Sequence, residues 1–150
     1  MRFIPTEKQP KRIRLAQVLK KIPQLKRFFA KQPVDLVFLH GSLAKDRLKP
    51  LSDIDIAIQF RKPDYSFKEI GEIKEKLSEL LGREDIDLAI MNRASPLLCM
   101  QVLCNGKLLY SRSEKVLGAF RLRTIQRYLA TKYLRTSFNR YMEEAILREK

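Results

Sequence analysis

The chain has few of the residues on which disulfide-rich and zinc proteins depend. Its 150 residues include two cysteines and one histidine. Two cysteines cannot build a disulfide framework. Cys99 and Cys104 are five positions apart, on different sides of a helix, so we expect both to be reduced core residues. A single histidine, His40, cannot form a histidine-rich zinc site, which argues against zinc chemistry.

Long apolar runs are also absent. The longest are far shorter than the roughly 20 residues that cross a bilayer, and residues 1–31 hold no uninterrupted apolar core of the signal-peptide kind. We therefore expect a cytoplasmic protein without membrane contact. The hydrophobic share of 45% suffices for the core of one domain spanning residues 1–150.

Positive charge is concentrated at the two ends of the chain. The formal net charge is +14. Residues 1–31 hold ten basic residues and one acidic residue, residues 120–150 hold eight and three, and the stretch between them holds 13 of each. Such ends are typical of contact with RNA, an acidic protein or phosphates. A solvated basic surface explains the charge equally well, and both interpretations stay open.

Apolar residues at three- and four-residue steps predict the helices. We expect helices at 15–29 with a break near Pro23, at 67–81 before Gly82, at 96–103 after Ser95 and from Ser113 onward. The last helix is expected to make apolar contacts through Val116, Leu117, Phe120, Ile125, Leu129, Tyr133 and Leu134.

Apolar runs and alternating patterns predict four strands. They fall at 34–39, 54–58, 86–90 and 107–110, the last after an Asn105-Gly106 turn. With a further short helix after the first strand, strands and helices alternate along the chain. This order predicts an α/β or α+β sheet domain. We divide it into a basic helical segment 1–31, a core 34–110 and a basic helical segment 113–150.

Chemistry-bearing residues cluster at the ends of three of these strands. Gly41 and Ser42 follow the first strand, Asp53 and Asp55 open the second, and Asp87 lies in the third. Residues two apart in a strand share a face, so the carboxylates of Asp53 and Asp55 should project together, with Cα atoms about 6.6 Å apart. Asp87 points to the same side if its strand is the neighbour.

Three adjacent carboxylates predict a cation site. At about 5 Å and an effective dielectric constant of 20, each pair repels by about 3 kcal/mol. All-oxygen ligands favour Mg²⁺ or Mn²⁺, and two such ions can orient a nucleoside triphosphate and stabilise departing pyrophosphate. Gly41 lets the backbone approach a phosphate, Ser42 adds a hydroxyl and an amide, and the following loop offers basic side chains at Lys45, Arg47 and Lys49.

Each element of this pattern has a structural explanation as well. A lone Asp-x-Asp is usually a strand entry, and a Gly-Ser pair after a strand is usually a turn. The four residues at fixed spacing arise by chance in roughly one chain of this length in several hundred. Asp85 shares the parity of Asp87, so the sequence does not decide which of the two is the third carboxylate.

The pattern resembles a known family. Leu39-His40-Gly41-Ser42, ten intervening residues and Asp53-Ile54-Asp55 are similar to the signature of polymerase-β-type nucleotidyltransferases, in particular the minimal nucleotidyltransferase (MNT) group. Ile86-Asp87-Leu88 is similar to that family's third-aspartate strand, and the stretch 105–110 followed by a basic helix is also similar. His40 stands where the family often carries an aromatic residue.

The resemblance implies a fold, a site and a reaction. The fold is a mixed sheet of about four strands with flanking helices, the nucleotidyltransferase fold. Gly41 and Ser42 would bind the nucleotide with Asp53, Asp55 and Mg²⁺, with ATP as substrate and Asp87 as third ligand or base. Similar members are antitoxins that transfer AMP to a tyrosine of a HEPN ribonuclease toxin, which becomes the expected partner.

Two other functions remain open at this stage. One is a noncatalytic antitoxin or nucleic-acid binder that uses the basic ends, where arginines alternate with Tyr128, Tyr133 and Tyr141. The other is an adenylyltransferase acting on a small hydroxylated compound such as an aminoglycoside. RNA contact through the ends and formation of a homo-oligomer are compatible with each of these functions.

Overall fold

The structure is a computed structural model that describes residues 13–45 and 53–149. Helices and strands alternate as the sequence predicts. They are α1 (Leu15–Lys20), α2 (Ile22–Ala30), β1 (Val34–His40), α3 (Gly41–Ala44), β2 (Ile54–Phe60), α4 (Phe67–Leu81), β3 (Ile86–Ile90), α5 (Pro96–Asn105), β4 (Lys107–Ser111) and α6 (Glu114–Arg148).

The four strands form one mixed sheet in the order β3-β2-β1-β4. β1 pairs antiparallel with both β2 and β4, whereas β2 pairs parallel with β3. The mixed sheet with flanking helices that the family resemblance implies is therefore confirmed. Parallel pairing of β2 and β3 matters most for function, because it brings their amino-terminal ends, where the aspartates lie, to the same edge of the sheet.

Helices cover both faces of the sheet. The even-numbered isoleucines of β2 pack against α1, α2 and α4, in a core that includes Val18, Leu25, Phe29, Ile54, Ile56, Ile58, Ile73 and Leu77. The other face of the sheet, to which the odd-numbered residues of β2 project, packs against α5 and α6. The second core on this face consists of Leu36, Phe38, Ala57, Met91, Cys99, Val102, Leu117 and Phe120. Because side chains alternate along a strand, Asp55 projects to the α5 and α6 side.

The predicted helix boundaries have clear local causes. Ser66 caps α4 through a reciprocal pair of hydrogen bonds with Glu69, and Gly82 ends that helix in the left-handed region at φ +67°. The hydroxyl of Ser95 accepts the first-turn hydrogen bond of α5. The break expected near Pro23 is confirmed, since α1 and α2 separate at Lys21 and the proline lies in the first turn of α2.

Two predictions about the end of α5 are wrong. Asn105 does not form a turn with Gly106, because α5 continues through it to the last position of the helix. Gly106 has a φ of −75°, which does not require glycine. A side chain is excluded here by close packing instead, since a Cβ would lie 3.1 Å from the Leu39 carbonyl oxygen. Cys104 is exposed and only Cys99 is buried, so one of the two cysteines is a core residue.

The contacts predicted for the second half of α6 are also wrong. Leu117 and Phe120 are buried, but Ile125, Leu129, Tyr133 and Leu134 are 41%, 60%, 77% and 65% exposed. The helix has 35 residues, about 52 Å, whereas a seven-residue strand spans about 23 Å, so α6 extends beyond the sheet on which it packs. Even so, neither α6 nor any other helix in the described ranges could span a membrane.

Candidate active site

Three polar side chains lie in one row across the sheet, on adjacent strands. Asp55 of β2 is paired in register with His40 of β1 on one side and with Asp87 of β3 on the other. Register partners project to the same face, and neighbouring strands are about 4.8 Å apart. The prediction that Asp55 and Asp87 share a side of the sheet is confirmed by this pairing.

Gly41 makes room for the carboxylate of Asp55. It follows β1 at φ +73°, a conformation that favours glycine. A Cβ at this position would overlap with Oδ2 of Asp55 and would lie 3.0 Å from its Cγ. The glycine of the Gly-Ser pair therefore has a specific role, because any side chain here would displace the central carboxylate of the row.

The three aspartates are close enough to influence one another. Partial burial raises the pKa of Asp55 above its usual value; neighbouring His40 opposes this shift, whereas the negative charges of Asp87 and Asp53 add to it. Asp53, just before β2, is itself exposed. A cation bound here would relieve the repulsion that two negative neighbours exert on one half-buried carboxylate.

The structure separates Asp87 from Asp85. The carboxylate of Asp85 forms an ion pair with Arg83, which donates hydrogen bonds to it through both Nε and Nη2. Asp85 is therefore engaged by its own strand entry, whereas Asp87 is exposed and opposite Asp55. These contacts favour Asp87 over Asp85 as the third carboxylate, and its role in the site stays a prediction.

Of the predicted phosphate-binding side chains, Ser42 and Lys45 are among the described residues. Ser42 lies in α3, immediately after Gly41, and is half-buried, and Lys45 follows α3 as an exposed residue. The main-chain N–H groups of the first turn of a helix have no partner within the helix, so they can bind an anion. Arg47 and Lys49 lie outside the described residues, and their predicted roles stay predictions.

The donor chemistry of the site fits a hard divalent cation, although no ligand cage is assembled. Asp53, Asp55 and Asp87 offer only carboxylate oxygens, the ligands that Mg²⁺ and Mn²⁺ prefer. Within residues 13–45 and 53–149, no group of three or more Asp, Glu, His or Cys side chains is arranged to hold a metal ion. Mg²⁺ commonly binds through one or two carboxylates together with substrate phosphates, and the site is compatible with that mode.

His40 is a further member of the site, and the sequence pattern did not predict it. Its ring is half-buried beside Asp55 and Asp87, and Nε2 has no hydrogen-bond partner among the described residues. Burial lowers the pKa of His40, although both carboxylates oppose the shift. The available signal was position, since His40 directly precedes Gly41 at the end of the strand that pairs with β2.

The chain is similar to known nucleotidyltransferases. Residues 23–115 match the family described as Polymerase beta, Nucleotidyltransferase. The chain is also 32% identical over 95 residues to the protein adenylyltransferase MntA of Shewanella oneidensis. That alignment covers 63% of this chain and 66% of the relative, just under two thirds of the relative's length.

Solved structures agree with the family match. A chain of a toxin–antitoxin complex with AMP-PNP aligns with a TM-score of 0.64 at 27% identity, over 85% of this chain and 98% of that one. A chain from the tri-AMPylated Shewanella oneidensis HEPN toxin in complex with MNT antitoxin aligns with a TM-score of 0.61 at 26% identity, over 88% and 98%. With all four strands of the sheet and the whole aspartate site inside the matched segment, the chain belongs to the polymerase-β nucleotidyltransferase family.

Proposed function

We propose that the chain is an adenylyltransferase that moves AMP from ATP to a hydroxyl group, and that the acceptor is a tyrosine of a partner HEPN toxin. The observation that carries the proposal is the fit of Gly41 around Asp55, with Asp87 directly opposite. A turn or a strand entry would need neither feature. The site edge thus combines a close-approach backbone with paired carboxylates, which suits phosphate transfer.

The residues divide the work as follows. Asp53 and Asp55 would hold Mg²⁺ or Mn²⁺, which when bound neutralises triphosphate charge and stabilises the departing pyrophosphate. The main-chain amides of Gly41 and Ser42 bind phosphate oxygens, and Lys45 adds positive charge beside them. The nucleotide is thereby held with its α-phosphorus at the carboxylate edge of the sheet.

Asp87 serves as base for the acceptor. It accepts the proton of the acceptor hydroxyl while that oxygen attacks the α-phosphorus. A new bond forms between phosphorus and the acceptor oxygen, and the bond from the α-phosphorus to the bridging oxygen breaks. Pyrophosphate leaves with the electron pair of that bond. The exposure of Asp87 keeps its carboxylate accessible to a protein hydroxyl from outside.

Relatives support the acceptor class. The curated relative is named a protein adenylyltransferase, and the complex of the Shewanella oneidensis relative contains a tri-AMPylated HEPN toxin. Another matched complex contains AMP-PNP, an analogue of ATP. We extend these properties to this chain because its site edge has the residues that such a transfer needs, and we expect the reaction to take place in the cytoplasm.

Transfer of label from ATP carrying radioactive α-phosphate tests the proposal. The chain is incubated with Mg²⁺, the labelled ATP and a HEPN-domain protein encoded in the same genome, and in parallel with cell extract. We expect labelled HEPN protein with the wild type and at least about a hundredfold less with Asp53→Asn or Asp55→Asn. Asp64→Asn, an exposed aspartate away from the site, is the matched control and should transfer normally.

The outcomes separate the alternatives. Transfer that survives both substitutions, with circular dichroism showing folded protein, would end the proposal. Label on RNA or on a small molecule in the extract, with none on protein, would keep the chemistry and change the acceptor.

A further inference from the structure

The distal half of α6 is an unpartnered helix with a continuous apolar stripe. From Ile125 to Arg148 no residue of the helix is buried. Large apolar side chains recur there at four-residue steps. We name four of them the distal stripe. They are Leu134, Phe138, Met142 and Ile146, and they are 65%, 60%, 41% and 55% exposed, in that order. A stripe of this size on a projecting helix is typical of a surface that another protein covers.

The distal stripe continues the face by which α6 packs on its own domain. Phe138 lies 18 residues after Phe120, and Met142 lies 18 residues after Thr124, a separation of about five helical turns. Phe120 and Thr124 are both buried against the α5 side of the sheet. The stripe therefore continues, along α6, the same helix face that packs against the sheet face carrying Asp55 and Asp87.

An arginine-lined cavity lies at the base of the stripe. Its volume is about 420 Å³, and its walls include Gln59, Asn92, Phe120, Arg123, Thr124 and Arg127. Cys99 is another wall residue of the cavity. Burial raises the pKa of its thiol, and the positive charges of Arg127 and Arg123 oppose that increase because both guanidinium groups lie near the thiol. Neither arginine has a carboxylate within ion-pair distance among the described residues.

Charge determines what kind of partner fits this surface. Between residues 121 and 148, α6 carries seven basic residues and two acidic ones, Glu143 and Glu144. Both glutamates lie more than about 100° around the helix from the centre of the distal stripe. A second copy of the chain would therefore bring no counter-charge for Arg123 and Arg127 on the matching face. RNA would meet the arginines but would leave four large apolar side chains against a polar, hydrated ligand.

We propose that the distal stripe and the arginine-lined cavity form one docking surface for a helical, acidic face of the acceptor protein. An apolar ridge with four-residue spacing packs between side chains of a facing helix, and carboxylates of the partner pair with Arg123 and Arg127 in the cavity. This inference rests on the proposed function for the identity of the acceptor. Gln59, on the cavity wall, is four residues along β2 from Asp55 on the same face, about 13 Å away, so a docked acceptor can extend a tyrosine-bearing segment to the carboxylates.

Two pairs of substitutions test the surface. Leu134→Glu with Phe138→Glu disrupts the stripe, and Arg123→Glu with Arg127→Glu reverses the charge of the cavity. All four residues are exposed, so the fold should persist. Controls are Phe67→Glu, an exposed phenylalanine on α4, and Lys132→Glu with Arg140→Glu, which makes the same charge change on other faces of α6.

Three measurements are made on each full-length chain: affinity for the HEPN-domain protein of the same genome, AMP transfer to it, and binding of fluorescent ATP with Mg²⁺. We expect the stripe and cavity pairs to weaken affinity at least about tenfold. Transfer should fall at low acceptor concentration and recover at high concentration. Nucleotide binding and both controls should match the wild type.

Specific results would overturn the docking surface. Stripe and cavity variants with wild-type affinity for the HEPN protein would exclude it. Loss of a homodimer in sedimentation, with HEPN affinity intact, would assign the stripe to a second copy, and loss only of binding to a short single-stranded RNA would assign it to nucleic acid. Failure of the proposed function has a different signature, since the wild type would then bind the HEPN protein without transferring AMP.

Discussion

Asp55 and Asp87 are register partners on parallel strands, with their carboxylates on one face and at one edge of the sheet. This relationship places two negative charges side by side, and the third member of their row is His40, whose pKa is lowered by burial. Such an arrangement costs stability in the absence of a cation, because like charges repel and burial disfavours ionisation. The site is therefore expected to trade fold stability for the ability to bind metal and nucleotide.

The contribution of Asp55 to the stability of the metal-free protein should fall as pH rises through the titration of this residue. Its pKa is raised in the folded state from an ordinary value of 3.8, so the folded chain binds more protons than the unfolded chain just above that pH. The stabilising effect of the proton is thus present at low pH and lost as pH rises through the folded-state pKa. Asp55→Asn should remove this dependence and give a higher melting temperature than the wild type at pH 7.

Thermal melts in EDTA between pH 4 and pH 7 measure this effect. Asp64→Asn serves as the control for loss of an exposed aspartate away from the site. A lower melting temperature for Asp55→Asn than for the wild type at pH 7 would contradict the assignment of net repulsion.

Gly41→Ala should abolish AMP transfer, whereas Gly82→Ala should not. Both glycines have positive φ, at +73° and +67°, so both substitutions carry a backbone cost of about 1 to 2 kcal/mol. Only Gly41 faces Asp55, and nothing lies within 4 Å of a Cβ at Gly82. Urea unfolding measures the loss of stability in each variant, and the labelled-ATP assay measures the loss of AMP transfer. Equal loss of transfer in both variants would show that backbone strain, rather than the carboxylate, is what matters at Gly41.

His40→Phe should stabilise the fold by about 1 kcal/mol, since it removes a buried ring nitrogen that has no partner among the described residues. Phenylalanine retains an aromatic ring in the same pocket, so packing should change little. Urea unfolding at pH 7 measures the difference. His40→Ala is the comparison: it also removes the nitrogen but leaves a cavity, and it should be destabilised. Destabilisation of both variants would mean that the imidazole makes a stabilising contact.

Arg112→Met should destabilise the protein by about 2 kcal/mol, and Arg61→Met by less than about 1 kcal/mol. Nη2 of Arg112 donates to the carbonyl oxygens of Gln32 and Val34 at 2.7 and 2.9 Å, and its Nε lies 3.3 Å from Asp35. Arg61 approaches the same carboxylate at 3.7 Å and is half exposed. Urea midpoints of the two variants provide the comparison. Equal losses would show that the carboxylate, not the carbonyl contacts, supplies the stabilisation.

Local patterns predicted the sheet and the helices because their causes are local. The bounds of α4 follow from the capping serine, the apolar period and Gly82, all visible in the sequence. The proximity of Gly41 to Asp55 could be predicted only from the resemblance to the nucleotidyltransferase family, since it depends on how β1 and β2 align. The choice between Asp85 and Asp87 depends on the contact with Arg83, which a two-residue period cannot show.

Burial was harder to predict than secondary structure. Leu129 and Leu134 have the helical period of core residues, yet they are 60% and 65% exposed. Cys104 failed as a core residue for the same reason, since it lies near the end of α5, on its open side. Apolar spacing identifies a helix face that needs a neighbour, but it does not say whether that neighbour belongs to the same chain.

The unequal packing of α6 has a consequence for how the molecule opens. Amide hydrogens around Phe120 are protected by the sheet core, so their exchange with deuterium should require global unfolding. Amides beyond Ile125 have only their own helix to protect them, and an isolated helix of this length frays readily in water. One continuous helix should therefore show two exchange regimes, and the boundary between them should move toward the carboxyl terminus when a partner is bound.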